Sequence, residues 1–355
     1  MNTSDGWGRL PQNATELTAE WLTSALAGSY PGTEVTSVYF GTVLHGTFSK
    51  VRLLLTYNEA GHSYRLPPTM FAKCCFEAHS RSPHLVEASR SEVLYYHERA
   101  SEGLVNAPKC YYAGLDRESG TQLLLLEDLL ARNATFGHAL RPIDARIARI
   151  GLEMLARYHA RWWNSPGKVR PETSAGGTIV TDDWMSEGAF ERCRQWPRFE
   201  FVVPELRNRE QFLKAVYKLW DSNLRAQHCL LLGDPHLGNC FFEVDGTPGF
   251  LDLQGDTLGC WAHDVTEFIL TSLDIDVRRN HERPLLEFYL EQLRSRGVDA
   301  PTFDEAWKHY RRNTIWQATA AVCPVASQFE SVCTAYTQRA MAAVRDLDAL
   351  ASFDD

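Results

Sequence analysis

Three oxygen-bearing side chains, Asp234, Asn239 and Asp252, stand at a spacing suited to phosphoryl transfer. They lie in Leu231-Leu-Gly-Asp-Pro-His-Leu-Gly-Asn239 and in Gly249-Phe-Leu-Asp-Leu-Gln254. Moving a phosphoryl group from a nucleotide to a hydroxyl needs a carboxylate to accept the hydroxyl proton. It also needs oxygen ligands that hold Mg2+ on the phosphates. Asp234 is the candidate catalytic base, and Asn239 and Asp252 are candidate ligands, because a hard cation prefers amide and carboxylate oxygens. His236 beside Asp234 could be read as a metal ligand, but it lacks His or Cys partners at ligand spacing, so loop packing is the expectation.

The interval of five from Asp234 to Asn239, followed by Asp252 at a strand end, reproduces the order of a kinase catalytic loop and its metal-gripping aspartate. Four upstream segments fit that order. Met70-Phe-Ala-Lys73 ends a short apolar run, where a lysine can contact nucleotide phosphates, and Glu92 on the next helix can pair with it. Alone, Lys73 would be an ordinary strand-end lysine; its place before a helix bearing Glu92 reverses that weighting. Gly41-Thr-Val-Leu-His-Gly46-Thr-Phe-Ser49 lies between two expected strands, where Gly46 and Ser49 could cover phosphate oxygens. It is neither a Walker A sequence nor a clean G-x-G-x-x-G, and an isolated reading would make it a hairpin turn. Leu123-Leu-Leu-Leu126-Glu127-Asp128-Leu129 reads as an apolar strand leaving the core, with backbone at Glu127 and Leu129 available to an adenine edge.

These residues need particular elements to position them. Val35–Tyr39, Val51–Tyr57, Thr69–Ala72, Cys110–Leu115 and Gln122–Leu126 are β-branched or apolar runs that predict strands. The spacing of Val86, Val93, Leu94 and His97 predicts one helix over His84–Gly103. From Pro142 the pattern turns helical: Ile143–Trp163, two stretches within Ser186–Ala226, and helices from Asp264 to the end. Breaks are expected near Pro284, Gly297–Pro301 and Pro324. Pro171–Gly177 reads as a polar loop, and a compact β-like region spans Leu230–Gln254. The organisation is a β-rich part, a short connector and a helical part with a β-hairpin set into it.

Gly-Asp-x-His-x-x-Asn with a downstream Leu-Asp-x-Gln resembles the aminoglycoside phosphotransferase/choline kinase-like superfamily, closest to its ecdysteroid-kinase-like, or CHK-type, branch. Similarity to bacterial members of that branch extends to Gly259-Cys-Trp-Ala-His-Asp264 and His281-Glu-Arg283. The resemblance runs from about Val43 to about Leu293 and is most specific around Asp234. It implies an α+β, bilobal protein-kinase-like fold: an N-lobe over 1–126, a hinge over 127–131, a helical C-lobe over 132–355, and an ATP cleft between the lobes. It also implies ATP and Mg2+ as cofactors and Asp264 as a brace for the catalytic loop. One departure is Leu232, where the family usually has His before Gly-Asp; this puts loop rigidity in question and keeps a non-catalytic, ATP-binding pseudokinase open.

Composition limits the other classes. The chain has 36 Lys and Arg against 45 Asp and Glu, a net charge of -9, which argues against a nucleic-acid partner. No apolar run approaches the roughly 20 residues of a membrane helix. Met1–Pro11 lacks a signal-peptide pattern, so a cytoplasmic protein without a membrane partner is the expectation. Nine cysteines without paired spacing read as reduced thiols. The partner expected is a small hydroxylated molecule. Tryptophans at 162, 163, 184, 196, 220, 261, 307 and 316 would wall a lipophilic alcohol, whereas Glu267, Asp274 or Asp276 could meet an antibiotic-like polyamine. A metal-dependent hydrolase using Asp234, His236 and Asp252 would leave Lys73 and Glu92 unexplained. A protein kinase would need an Ala-Pro-Glu signature and Asp-Phe-Gly, which Asp252-Leu-Gln254 replaces.

Overall fold

The computed structural model describes residues 10–116, 121–170, 177–254 and 257–354. The polar N-terminus up to residue 9, and residues 171–176 of the expected polar loop, lie outside them. The chain folds as two compact units. One comprises the described residues up to Gly103 with Ala107–Thr135; the other comprises Leu104–Asn106 and Phe136 onward.

The first unit is an antiparallel sheet of β1 (Val35–Leu44), β2 (Ser49–Tyr57), β3 (Thr69–Cys74), β4 (Cys110–Leu115) and β5 (Gln122–Glu127), in the order β1-β2-β3-β5-β4. Strand alternation sorts its side chains. Val51, Leu53 and Leu55 of β2, Met70, Ala72 and Cys74 of β3, and Leu123 and Leu125 of β5 share one core. Leu22 and Leu26 of the helix Ala19–Ala27 close that core. The sequence reading assigned no element to this stretch; the helix's signal is Thr18, whose hydroxyl accepts the Trp21 N–H as an N-cap. Leu124 points to the opposite face, where it packs with Val93 of the helix Pro83–Glu98. Lys73 pairs with Leu124 across β3 and β5, so the period of two sends Lys73 to the helix-covered face.

The second unit is helical, with two short antiparallel strand pairs that carry the loop around Asp234. His228–Leu230 pairs with Leu258–Cys260, and Cys240–Phe242 pairs with Pro248–Phe250. Helices Ala145–Arg161, Arg209–Asn223, Ala262–Ser272, Ile275–Arg294, Phe303–Ala318 and Glu330–Asp346 surround them. Asp144 caps the first of these by accepting the Ile147 N–H at 2.8 Å. Leu104–Asn106 joins this unit because Asn106 O accepts the Phe250 N–H (2.8 Å) and its amide reaches Glu243 (3.0 Å).

Two expectations need correction. The break near Pro284 is absent: Ile275–Arg294 is one helix with Pro284 inside it. Leu285, Leu286, Tyr289 and Leu290 anchor the C-terminal half, and the buried Arg278–Glu282 pair (2.8 Å) anchors the turn before the proline. Packing on both sides outweighs one missing hydrogen bond, which costs about 3 kcal/mol in an unsupported helix. The helix expected to reach Gly103 ends at Glu98, followed by a 3-10 turn over Ala100–Glu102. Gly103, at φ 62°, supplies the left-handed residue that stops it.

Candidate active site

The N–H groups of Leu232, Gly233, Leu237, Gly238 and Asn239 fix the loop from Leu232 to Asn239. Gly233, at φ 86°, turns the chain out of the preceding strand. The Leu232 and Gly233 N–H groups donate to Asp264 Oδ2 (2.6 Å) and Oδ1 (3.1 Å). Asp264 is fully buried and also lies 3.1 Å from His159 Nε2, whose other ring nitrogen meets Tyr289 OH at 2.8 Å. The Leu237 N–H donates to Thr271 Oγ1 (3.1 Å), the Gly238 N–H to Tyr336 OH (3.2 Å) and the Asn239 N–H to His236 O (2.8 Å). A loop whose amides are spent this way is held in one conformation. Leu232 is buried and tethered through its own N–H, so the backbone here is fixed without an imidazole at that position.

Asn239 Nδ2 donates to both the main-chain oxygen (3.0 Å) and Oδ2 (2.9 Å) of Asp234, which joins the candidate base and the candidate ligand directly. Burial raises the Asp234 carboxyl above the ordinary carboxylate value. His236, 3.7 Å away, opposes the shift, Asp252 adds to it, and the Asn239 hydrogen bond opposes it. Although ringed by protein, Asp234 keeps 45% of its side-chain surface accessible. His236 tilts against Tyr336 with ring centroids 5.9 Å apart, in keeping with a packing role.

The donor set fits Mg2+. With its amide nitrogen committed to Asp234, Asn239 has its side-chain oxygen left for a cation. The Leu251 N–H donates to Asn239 O at 2.7 Å, which brings the residue before Asp252 to the loop. Asp252 sits at φ 50°, a left-handed conformation that Asp tolerates better than most residues. Its negative charge raises Asp234, so two carboxylates stand close enough to favour a cation.

Sequence reasoning did not find several residues that shape this loop. Arg339, buried, donates to Thr271 O and Ala139 O, both at 2.6 Å. Thr271 and Tyr336 receive loop amides across 34 and 98 residues, and no local pattern signals that. Gly137 donates its N–H to Cys240 O (2.9 Å), and a Cβ on it would stand 1.9 Å from Leu237 O. The neighbour is backbone, so Gly137→Ala must displace the loop. We expect it to lower stability by about 1–3 kcal/mol; urea unfolding of the variant checks this, and an unchanged midpoint would contradict the packing described.

In the first unit, Lys73 Nζ meets Glu92 Oε2 at 2.5 Å, and each side chain is only 1% exposed. Gln122 Nε2 donates to the same oxygen at 3.2 Å, and Lys73 lies 5.1 Å from the Phe48 ring centroid. Gly46 and Ser49 flank the turn between β1 and β2. The Gly46 carbonyl accepts from His79 Nε2 (2.9 Å), and Ser49 Oγ donates to Glu77 Oε1 (3.0 Å). His45 Nδ1 also reaches that carboxylate oxygen, at 2.7 Å. Hydrogen bonds from His45 and Ser49 lower the Glu77 carboxyl below its ordinary value. The Glu77–His79 tether was not foreseen from sequence. Glu127 ends β5 and donates its N–H to Lys109 O (2.8 Å). Leu129 opens a 3-10 turn capped by Asp128, which also accepts Arg52 Nε at 2.8 Å.

Residues 186–297 match a family model described as the ecdysteroid kinase-like family. The matched span includes Asp234, Asn239, Asp252 and Asp264, so this comparison finds the same likeness as the loop motif. No curated protein matches the chain. Among solved structures, the GDP and kanamycin complex of APH(2")-IIIa aligns at 12% identity over 93% of this chain and 99% of that one, with a TM-score of 0.50. A choline kinase from Streptococcus pneumoniae aligns at 12% identity over 92% and 98%, with a TM-score of 0.47. An ethanolamine kinase from Plasmodium vivax aligns at 9% identity over 86% and 81%, with a TM-score of 0.49. At such identities the likeness is one of fold alone: an antiparallel sheet unit and a helical unit of the protein-kinase-like type. No helix among the described residues is long and apolar enough to cross a membrane.

Proposed function

We propose that this chain is an ATP- and Mg2+-dependent kinase that transfers the γ-phosphate to a hydroxyl of a small molecule. The observation that carries the reading is the direct hydrogen bond between Asn239 and Asp234, on a loop that the Leu251 N–H ties to the Asp252 strand. Asp234 orients the acceptor hydroxyl and takes its proton. Asn239 and Asp252 would hold Mg2+, which supplies positive charge against the charge developing on the phosphates. Lys73, fixed by Glu92, is the phosphate-holding cation, with Gly46 and Ser49 on the covering turn. The backbone at Glu127 and Leu129 receives the adenine. The substrate is a hydroxylated compound, lipophilic or antibiotic-like, met in the ATP-supplied cytoplasm.

The test is ATP consumption against sterols, macrolides, aminoglycosides, choline and sugars, with and without Mg2+. Turnover on one class that stops when EDTA removes the metal is expected; Zn2+-dependent hydrolysis without ATP would overturn the reading. The pH profile adds a second expectation. The base works ionised, so kcat/KM falls as pH drops through the raised Asp234 value. His236 lowers that value, and His236→Gln should therefore move the acid limb to higher pH. An acid limb that stays in place would show that another group limits the rate.

A further inference from the structure

Three thiols that the proposed chemistry does not use, Cys193, Cys323 and Cys333, gather around the guanidinium of Arg198. Arg198 is fully buried and staples the chain on either side of residues 324–329. Its Nε donates to Ala321 O (3.0 Å), one terminal nitrogen to Cys323 O, and the other to Glu330 Oε2 (2.5 Å). Cys323 follows the 3-10 turn Thr319–Val322, and Cys333 closes the first turn of the helix Glu330–Asp346. Held in this way, two thiols ten positions apart in sequence hydrogen-bond to each other. They differ in access: Cys333 is 1% exposed, whereas Cys323 is half-buried. Cys193 is the poorer partner, because it is buried and its Sγ donates to Val322 O at 3.4 Å. Tyr336, which accepts the Gly238 N–H, lies one turn beyond Cys333, so the pair sits at the root of the helix that supports the Asp234 loop.

We propose that Cys323 and Cys333 form a redox clamp, which a low-molecular-weight disulfide closes to a protein disulfide that ties the start of the Glu330–Asp346 helix to the turn before it. The thiolate is the reactive form of cysteine, and a helix start and a neighbouring arginine both favour it. The hydrogen bond from Cys323 holds the Cys333 thiol below its ordinary value; burial opposes this and the Arg198 charge aids it. Cys323 is the sulfur that a small molecule can reach. It passes its proton to the Cys333 thiolate along their hydrogen bond and attacks the small disulfide, forming a mixed disulfide and expelling one small thiolate. Cys333 gives its proton to that leaving group and attacks the Cys323 sulfur. The protein disulfide forms and a second small thiolate departs, to be protonated by the proton that Cys333 had earlier shed to solvent. The protein thus gives up two electrons and two protons, and the small disulfide takes them as two thiols.

The experiment treats the folded chain with oxidised glutathione, alkylates the remaining thiols with N-ethylmaleimide in denaturant, and digests with trypsin for mass spectrometry. Residues 313–339 form one tryptic peptide, which holds Cys323 and Cys333 and no other cysteine. It should appear unalkylated and lighter by two hydrogen atoms than its dithiol form, while Cys193 is alkylated. Treatment with dithiothreitol should return it with two maleimide groups. In Cys323→Ser, a mild change at a half-buried position, Cys333 should be alkylated after the same exposure to glutathione. Closing the ring removes freedom from the segment it spans, so deuterium uptake over residues 328–339 should fall severalfold in the oxidised wild type. Alkylation of both cysteines in the treated wild type, a link from the peptide to Cys193, a glutathione adduct on Cys323 that goes no further, or deuterium uptake that does not fall would each overturn the inference.

Discussion

Asp234→Asn is expected to lower kcat by about 10²–10⁴-fold while leaving the unfolding midpoint close to that of the wild type. The substitution keeps the shape of the side chain and removes only its capacity to accept a proton. The loop does not depend on this carboxylate for its path. Asp264, Thr271 and Tyr336 take its amides, and Asn239 still reaches the main-chain oxygen of residue 234 at 3.0 Å. A change confined to kcat therefore identifies a proton acceptor, whereas a matching loss of stability would identify a structural carboxylate. Retention of more than a tenth of the wild-type rate would remove Asp234 from the role of base.

The second large effect is on folding. Glu92→Leu leaves the Lys73 ammonium, 1% exposed, without its carboxylate, and also strips Gln122 Nε2 of its acceptor. Breaking a buried pair by deleting one partner costs roughly 3–5 kcal/mol, because the remaining charge is neither solvated nor neutralised. Against a typical total of about 5–15 kcal/mol, that loss should shift the urea midpoint far to the left. Lys73→Met combined with Glu92→Leu should regain much of the stability, since no charge is then stranded in the interior. On the proposed role of Lys73 as the phosphate-holding cation, it should not regain activity. A double variant no more stable than Glu92→Leu would show that the pair matters for packing rather than charge.

The parts of this molecule that were legible in the sequence are those specified locally. Asp234 and Asn239 are five residues apart on one loop, so their interval alone carries the geometry. The strands of the first unit follow the alternation of Val51, Leu53 and Leu55, and that alternation also sends Lys73 to the helix-covered face. The parts that were not legible depend on distant partners. Gly137 is needed because Leu237 O passes where its side chain would be, and nothing near residue 137 announces that approach. Tyr336 and Arg339 support the loop from a helix about a hundred residues away in sequence, through contacts with no periodic signature. Pro284 misled in the opposite sense. Its local rule is a helix break, and the apolar face of Leu285, Leu286 and Tyr289 overrides it. The turn holding Gly46 and Ser49 was placed by its glycine, but its tether to Glu77 and His79 comes from a segment about 30 residues on.

Phosphorus NMR of the chain incubated with MgATP and the acceptor panel tests the central claim most directly. The account predicts that the γ-phosphate resonance of ATP declines as a phosphomonoester resonance grows on one hydroxylated acceptor, and that Asp234→Asn suppresses both changes. ATP that stays intact with every acceptor, or that yields only inorganic phosphate, would contradict it.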